Sequence, residues 1–589
     1  MHAGAKPRLG ILQFLCRCKL HRMNRWMFAA GVLVCIVTAP AAQDAGVRSR
    51  DGLVVCTSAP ACDVGAALLA RRGNAVDAAV ATAFALAVTH PAAGNIGGGG
   101  FMIVRTPSGE VTTFDFREKA PSKATPMMYV GPDGNIDPAR TREGYLAPGV
   151  PGSVRGLELA HKQFGTLPWR DVVMPAVSLA EQGFVVSAAL ARSLNSELAR
   201  MAKFPASVAA YGKPDGTPWS AGDRLVLSDL GRSLRAIATR GADVFYKGWI
   251  ADRIAEDMTA QGGLITKQDL ATYEAKVRAP VRGTYKGFEI ISMAPPSSGG
   301  VALVEMLNIL EPYDLQSKGM LTPAALHLQI EAMRRAYLDR ARHLGDPDFS
   351  DVPVTRLTSK EHARHVAASI SPDKASSSAE LGRDVLTAPA VNEPEATTHF
   401  STLDRDGMAV ATTTTLEGSY GSHVVVKGAG FLLNNEMGDF NKKPQYTNTT
   451  GDIGTPANLI EPGKRMLSSM TPTIVTRGRK LVLVTGSPGG RTIINTVLAV
   501  VLGVTEYGLS GADAVARPRI HHQWMPDRVS IEEGGVSPET IARLKEMGHD
   551  VSFTTRQGDA HTIWVDADGT AYGANDKRTA DSKAAVPKR

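Results

Sequence analysis

Cysteine is scarce: five occur in 589 residues, and Cys16, Cys18 and Cys35 fall within the first 42. Only Cys56 and Cys62 remain downstream, with no histidine nearby, which makes a poor zinc set. In an exported chain the pair can close one local disulfide, and two buried thiols are the alternative. Acid is missing from residues 1–42, which carry Lys6, Arg8, Arg17, Lys19, Arg22 and Arg25. Without that segment the formal charge falls from +7 to about +1, so a nucleic-acid role loses its main support. Long hydrophobic runs are also lacking. The best, Met27 to Val37, is about half the roughly 20 residues that a membrane span needs. No 20–50-residue repeat is present.

What is there begins with an export signal. A basic stretch, a short apolar run and the small residues Ala39-Pro-Ala41-Ala42 follow in the order of a signal peptide over residues 1–42. The implied location is periplasmic or secreted; an uncleaved anchor is the rival. Met23 is an alternative start, and Cys35 lacks the small preceding residue of a lipid-attachment site.

From Cys62 to Val88 apolar residues recur at helical spacing, broken at Gly73-Asn74. The run Gly97–Gly100 precedes a strand-like Phe101–Arg105. Residues 150–345 alternate amphipathic helical stretches (153–164, 169–182, 248–261, 301–310, 323–341) with turns. The pattern fails over 370–396, which is polar, small and proline-containing, the composition of an exposed loop. At Thr397 strands begin: 398–403, a turn at Asp404-Arg-Asp-Gly407, and 408–416. A second strand pair, 471–476 and 480–485, leads into a helix over 492–507. Paired strands and separate helical runs predict antiparallel sheets covered by helices.

The simple motifs carry little chemistry. A dinucleotide loop runs strand, glycines, helix, whereas Gly97–Gly100 follows a helix and precedes a strand. Ser487 lacks the glycine two residues earlier that a nucleophile elbow needs. His521 and His522 point to opposite faces of a strand and cannot chelate together. Thr397 differs, because it stands where a polar loop becomes a hairpin. Cut just before it, the chain would expose an α-amine of pKa near 8 beside its own hydroxyl, joining base and nucleophile in one residue. From pattern alone an ordinary strand threonine is the commoner reading.

Several blocks then add up. Gly73-Asn-Ala-Val-Asp-Ala-Ala79, Asn95-Ile-Gly-Gly-Gly-Gly-Phe-Met102, Asp115-Phe-Arg-Glu118, Val150-Pro-Gly-Ser-Val154, Gly262-Gly-Leu-Ile-Thr266 and Pro295-Pro-Ser-Ser-Gly-Gly300 lie upstream. Thr397-Thr-His-Phe-Ser401, Asn434-Asn-Glu-Met-Gly-Asp439, Leu467-Ser-Ser-Met-Thr-Pro472 and Gly486-Ser-Pro-Gly-Gly490 lie downstream. Together, over nearly the whole mature chain, they resemble the γ-glutamyltranspeptidase family. The resemblance implies an α+β fold: a four-layer α-β-β-α N-terminal-nucleophile hydrolase sandwich. Two subunits of one cleaved precursor, 43–396 and 397–589, build it as a heterodimer, with Thr397 attacking the carbonyl of Ala396.

Residue by residue, the resemblance implies Thr397 as nucleophile, Thr415 as its aligning hydroxyl, and Gly489 and Gly490 as oxyanion donors. Arg117 would grip the donor α-carboxylate, Glu436 and Asp439 the α-ammonium, and Ser468 and Ser469 the carboxylate side. Glu417 stands where many members have Asn, and Gly438 replaces an acidic neighbour. The connection 440–467 resembles a lid, in which Tyr446 is the only tyrosine. The implied activity is γ-glutamyl transfer from glutathione or related amides to water, amino acids or peptides, with no metal or organic cofactor and no nucleic acid. The alternatives are a glutaryl-type cephalosporin acylase of the same family and an uncleaved, non-catalytic exported binding protein.

Overall fold

Asn74 shows how local chemistry sets the first elements. The helix Ala59–Ala70 stops just short of the Gly73-Asn74 break, and Asn74 then caps the helix Ala75–Thr89. The Asn74 side chain accepts from Val76 and Asp77 N–H while Asp77 returns a bond to the Asn74 N–H, a reciprocal capping box. Every residue of Ala75–Thr89 is buried, as expected of a helix apolar all round.

The structure is a computed structural model and describes residues 46–386 and 396–588. The expected signal peptide, its three cysteines and the residues 387–395 lie outside the described residues. Cys56 and Cys62 are joined by a disulfide, with Cα atoms 5.7 Å apart. Among the described residues no helix is long and apolar enough to cross a membrane.

Two seven-stranded antiparallel sheets form the centre. One runs, edge to edge, Lys583–Ala585, Gly52–Cys56, Ala396–Asp404, Ala409–Glu417, Gly99–Arg105, Val111–Asp115, Lys276–Arg278. The other runs Val47–Ser49, Ala571–Ala574, Thr562–Val565, Lys480–Thr485, Thr473–Arg477, Phe288–Ser292, Val281–Tyr285. Alternation along the strands sorts side chains into layers. Leu53, Val55, Ile103, Ala411, Ile474, Val484 and Ile563 fill the space between the sheets. Val54, Met102, Val104 and Val410 face a helical layer that includes Ala75–Thr89 and Trp169–Gln182. Helices Gly299–Leu310, Pro323–His343 and Thr492–Thr505 cover the other sheet. The order is helix, sheet, sheet, helix, as the resemblance implied. One small side sheet departs from it, because Val529–Glu532 pairs in parallel with Val551–Thr554.

One expectation is corrected in part. Residues 371–386 are not a free loop. The Ser371 carbonyl accepts from His327 Nε2 at 2.7 Å, and Ala375 N–H donates to Met547 O at 2.7 Å. Arg335 reaches Ser369 O and Ser376 Oγ, each at 3.1 Å, and Arg342 reaches Leu381 O at 2.8 Å. Ser378 opens a short helix, Ser378–Leu381, and is fully buried against Trp524, whose Nε1 donates to its carbonyl at 2.8 Å. Most of the segment is exposed or half-buried, as its composition implies, with Ser378 and Gly382 buried; guanidinium and backbone bonds anchor it.

Candidate active site

The strand Ala396–Asp404 meets its partner Ala409–Glu417 with a register shift between Ala396 and Thr398. Thr397 and Thr415 meet at this irregular end, their Oγ1 atoms 3.4 Å apart. Thr415 is held on both sides. Its hydroxyl accepts from Glu417 N–H at 2.7 Å, and its carbonyl accepts from Asn95 Nδ2 at 2.8 Å. One step along, His399 Nδ1 lies 2.8 Å from Thr413 Oγ1, and burial pushes this imidazole well below its usual range, so it is neutral.

The glycine run now has a physical reason. A Cβ on Gly98 would come within 2.1 Å of the Thr415 carbonyl oxygen, and one on Gly100 within 2.4 Å of the Thr413 oxygen. Only a backbone without side chains can back the strand Ala409–Glu417 so closely. Gly489 and Gly490 occupy the turn between Lys480–Thr485 and Thr492–Thr505, with φ of +124° and +49°. Their N–H groups therefore sit at the N-terminal, positive end of that helix.

Of the ten residues selected from the sequence, all but Gly489 line one cavity; Gly489 lines a second cavity that shares Thr397 with the first. Arg117 is the cavity's buried anchor. Its Nη1 is 2.5 Å from Glu436 Oε2 and 3.6 Å from Glu118 Oε2, and its Nη2 is 2.5 Å from Asp439 Oδ2. Arg117 is thereby held above even its ordinary range, although burial opposes this. For Glu436 and Glu118 burial outweighs the attraction of the single cation. Glu436 is raised well above the usual carboxylate range, and Glu118 is pushed up to about 8. One guanidinium cannot neutralise three carboxylates in a buried pocket, so protons supply the rest.

Ser468 and Ser469 line the same cavity, directly after Met466 and Leu467, whose carbonyls accept from Arg117 at 3.3 Å each. Ser468 Oγ accepts from Met470 N–H at 3.1 Å, and Ser469 Oγ accepts from Arg340 Nη2 at 3.1 Å. The Pro295–Gly300 block supports them: Ser298 Oγ donates to the Ser468 carbonyl at 2.6 Å and accepts from Arg340 Nε at 2.9 Å. Glu417 lines the cavity with φ of +76°, its carboxylate bonded to Asn435 Nδ2. From the 440–467 connection, Phe440, Asn441, Asp452, Ile453, Thr455 and Asn458 line the cavity. Tyr446 is not among them; its ring lies 4.6 Å below the Lys443 ammonium.

Arg340, Glu118 and Asn95 escaped selection as site residues. Arg340 sat in a helical stretch with an ordinary charged face. Asn95 and Glu118 were visible only as members of motif blocks. The weaker motifs resolve as structural. Ser487 Oγ donates to Pro488 O at 2.7 Å and accepts from Asp559 N–H at 2.9 Å. His521 pairs with Asn495 and Gln523, and His522 with Asp527; burial lowers both to about 4.

Two buried groups have metal-like composition, but their own partners occupy them. His327 spends both ring nitrogens on His549 and Ser371, while Glu331 pairs with Arg334 and Arg335. Glu305 and Asp339 already enclose a cation, because they raise His362 to about 9.

Two antiparallel sheets packed face to face and covered on both outer sides by helices make the four-layer fold of the N-terminal-nucleophile hydrolases, with Thr397 at a strand end within it. The gamma-glutamyltranspeptidase family model matches residues 61–586. The chain is 46% identical to the glutathione hydrolase proenzyme of Escherichia coli (strain K12), over 91% of this chain and 92% of that one. It is 42% identical to the glutathione hydrolase proenzyme of Pseudomonas sp. (strain A14), over 95% and 98%. The solved cephalosporin acylase from Bacillus halodurans superposes with a TM-score of 0.81 at 26% identity, covering 94% of this chain and 98% of that one. The chain belongs to the gamma-glutamyltranspeptidase family.

Proposed function

We propose that the chain is exported, cuts itself between Ala396 and Thr397, and then acts as a γ-glutamyl acyltransferase and glutathione hydrolase. The observation that carries this reading is that the Thr397–Thr415 hydroxyl pair and the Arg117–Glu436–Asp439 cluster line one cavity. A γ-glutamyl donor is a zwitterion at its α-carbon, and this cavity offers charges of both signs to it. The freed α-amine of Thr397 takes the proton from Oγ1 as the oxygen attacks the γ-carbonyl. Gly489 and Gly490 N–H groups receive the oxyanion, the amine leaves with the proton, and a γ-glutamyl-threonine ester remains. Water or an amine then takes the acyl group.

The glutaryl-acylase alternative is disfavoured by the acidic wall. A glutaryl group has a carboxylate but no α-ammonium, so Glu417 and Asp439 would face it with the wrong sign. A denaturing gel with intact mass tests the whole reading. The expected result is two chains, the smaller beginning at Thr397, while Thr397→Ala stays as one inactive chain. A single chain from the unmutated protein would instead fit a non-catalytic binding protein. Faster release from a glutaryl than from a γ-glutamyl anilide would overturn the substrate assignment.

A further inference from the structure

The turn Gly486–Gly490 has to hold two N–H groups still, yet neither Gly489 nor Gly490 has a side chain to anchor it. A neighbouring segment with no part in the chemistry above, Gly558-Asp-Ala-His561, packs directly on that turn. A Cβ on Gly489 would lie 3.5 Å from Gly558 Cα, and one on Gly558 would meet Ser487 Oγ at 2.7 Å and Thr496 Oγ1 at 2.6 Å. The Asp559 N–H donates to Ser487 Oγ at 2.9 Å, within the turn.

A buried charge pair fixes this segment in turn. Asp559 is 5% exposed and His561 is fully buried. Asp559 Oδ2 accepts from Thr57 Oγ1 at 3.0 Å and lies 3.0 Å from His561 Nε2. Burial pushes the Asp559 carboxyl up, but the attraction of His561 and its hydrogen bonds outweigh this and hold it below the usual range. The His561 carbonyl accepts from Ser401 Oγ at 2.8 Å, on the strand Ala396–Asp404 that carries Thr397. Ser401 Oγ also lies 3.1 Å from His399 Nε2, and the His399 ring packs so closely on Gly486 that a Cβ there would come within 2.4 Å. The Asp559–His561 pair therefore stands where the nucleophile's strand and the Gly486–Gly490 turn are joined.

We propose that Asp559 and His561 are positioning residues for the reaction: their buried pair sets where the Gly489 and Gly490 N–H groups stand relative to Thr397 Oγ1. Both act through the backbone, Asp559 by its N–H on Ser487 and His561 by its carbonyl on Ser401. The inference rests on the γ-glutamyl reading above, in which those two glycines receive the oxyanion. Donors of that kind work by being aimed in advance at the developing charge. A misplacement of about 1 Å at such a site can cost roughly a hundredfold in rate.

The test is a double-mutant cycle on the matured protein, read by release of p-nitroaniline from γ-glutamyl p-nitroanilide. Asp559→Asn leaves the imidazole without its counter-charge, and His561→Gln leaves a buried carboxylate without its cation. Each should lower kcat roughly tenfold and change KM by less than about twofold, because the Arg117 cluster is untouched. Asp559→Asn/His561→Gln puts a neutral amide pair in the same space and should recover kcat to within about threefold of the wild type. Denaturing gels establish that each variant has matured to two chains. Where a single variant does not mature, the double variant decides: two chains with kcat in that range support the inference, and an uncleaved or tenfold slower protein overturns it. Single variants that melt earlier but keep the wild-type kcat also overturn it, as does a double variant whose loss is the product of the single losses. Failure of the parent reading looks different, because the wild type itself would then release no p-nitroaniline.

Discussion

Thr415→Val is the sharpest perturbation of the site, because valine keeps the branched shape and removes only the hydroxyl. That hydroxyl is 2% exposed at residue level, accepts from Glu417 N–H at 2.7 Å, and lies 3.4 Å from Thr397 Oγ1. Two costs follow. The Glu417 N–H loses its acceptor, a penalty of about 1–3 kcal/mol in the folded state. The Thr397 oxygen also loses the hydroxyl that orients it. The 3.4 Å contact is weak at rest, and a bond to a developing alkoxide is worth roughly 1.5–3 kcal/mol, or about ten- to a hundredfold in rate. Self-cleavage, followed on denaturing gels, and kcat on a γ-glutamyl anilide should both fall by that range. Thr415→Ser keeps the oxygen and should stay within a few-fold of the wild type. A Thr415→Val protein that matures at the wild-type rate and keeps its kcat would refute the alignment role.

If Gly489 and Gly490 receive the oxyanion as proposed, Gly489→Ala should mature poorly and lose at least tenfold in kcat, since φ of +124° and a Cβ 2.5 Å from Thr492 Oγ1 impose about 1–3 kcal/mol of strain on their turn. Glu118 gives a pH test. Its carboxyl is raised to about 8 by burial, so the folded state holds a proton that the unfolded state releases near pH 4.5. That stability is fully present below the unfolded value and is lost as pH rises through about 8, with a slope of up to roughly 1.4 kcal/mol per pH unit. Glu118→Gln should flatten the fall of melting temperature between pH 5 and 8, and an unchanged slope would assign the loss elsewhere. Cys56→Ser/Cys62→Ser should cost roughly 2 kcal/mol, because the bridge closes a short loop, and added reductant should lower the wild-type melting temperature to that of the variant.

The layers were legible because periodicity reports burial directly. Ala409 to Leu416 alternates between the inter-sheet core and the helix layer, and its β-branched residues suit a strand buried on both faces. The glycine blocks were legible as places of close approach, although the sequence could not say what approaches them. That partner is the carbonyl of Thr415, more than 300 positions away in the chain. Nothing local encodes such a contact, so Gly98 and Asn95 could be recognised only as members of a block.

The anchoring of segment 371–386 was hidden for a related reason. Serine, proline and aspartate lower a segment's own capacity to form a core, and composition then predicts exposure. What composition does not show is the anchoring, which comes from outside the segment. The helix Pro323–His343 presents Arg334, Arg335 and Arg342 to it, each bonded to its hydroxyls, carbonyls or Asp384. A small, polar strand of chain is well suited to such a surface, because it brings acceptors without bulk and leaves few donors unmet. The same helix carries Arg340 to Ser298 and Ser469 on the cavity wall. From sequence this stretch reads only as an amphipathic helix, whereas Arg334 and Arg335 on it are buried. One helix thus holds both the segment 371–386 and the serines Ser298 and Ser469 beside the Arg117 cavity, while Glu331 on the same helix keeps Arg334 and Arg335 paired within it.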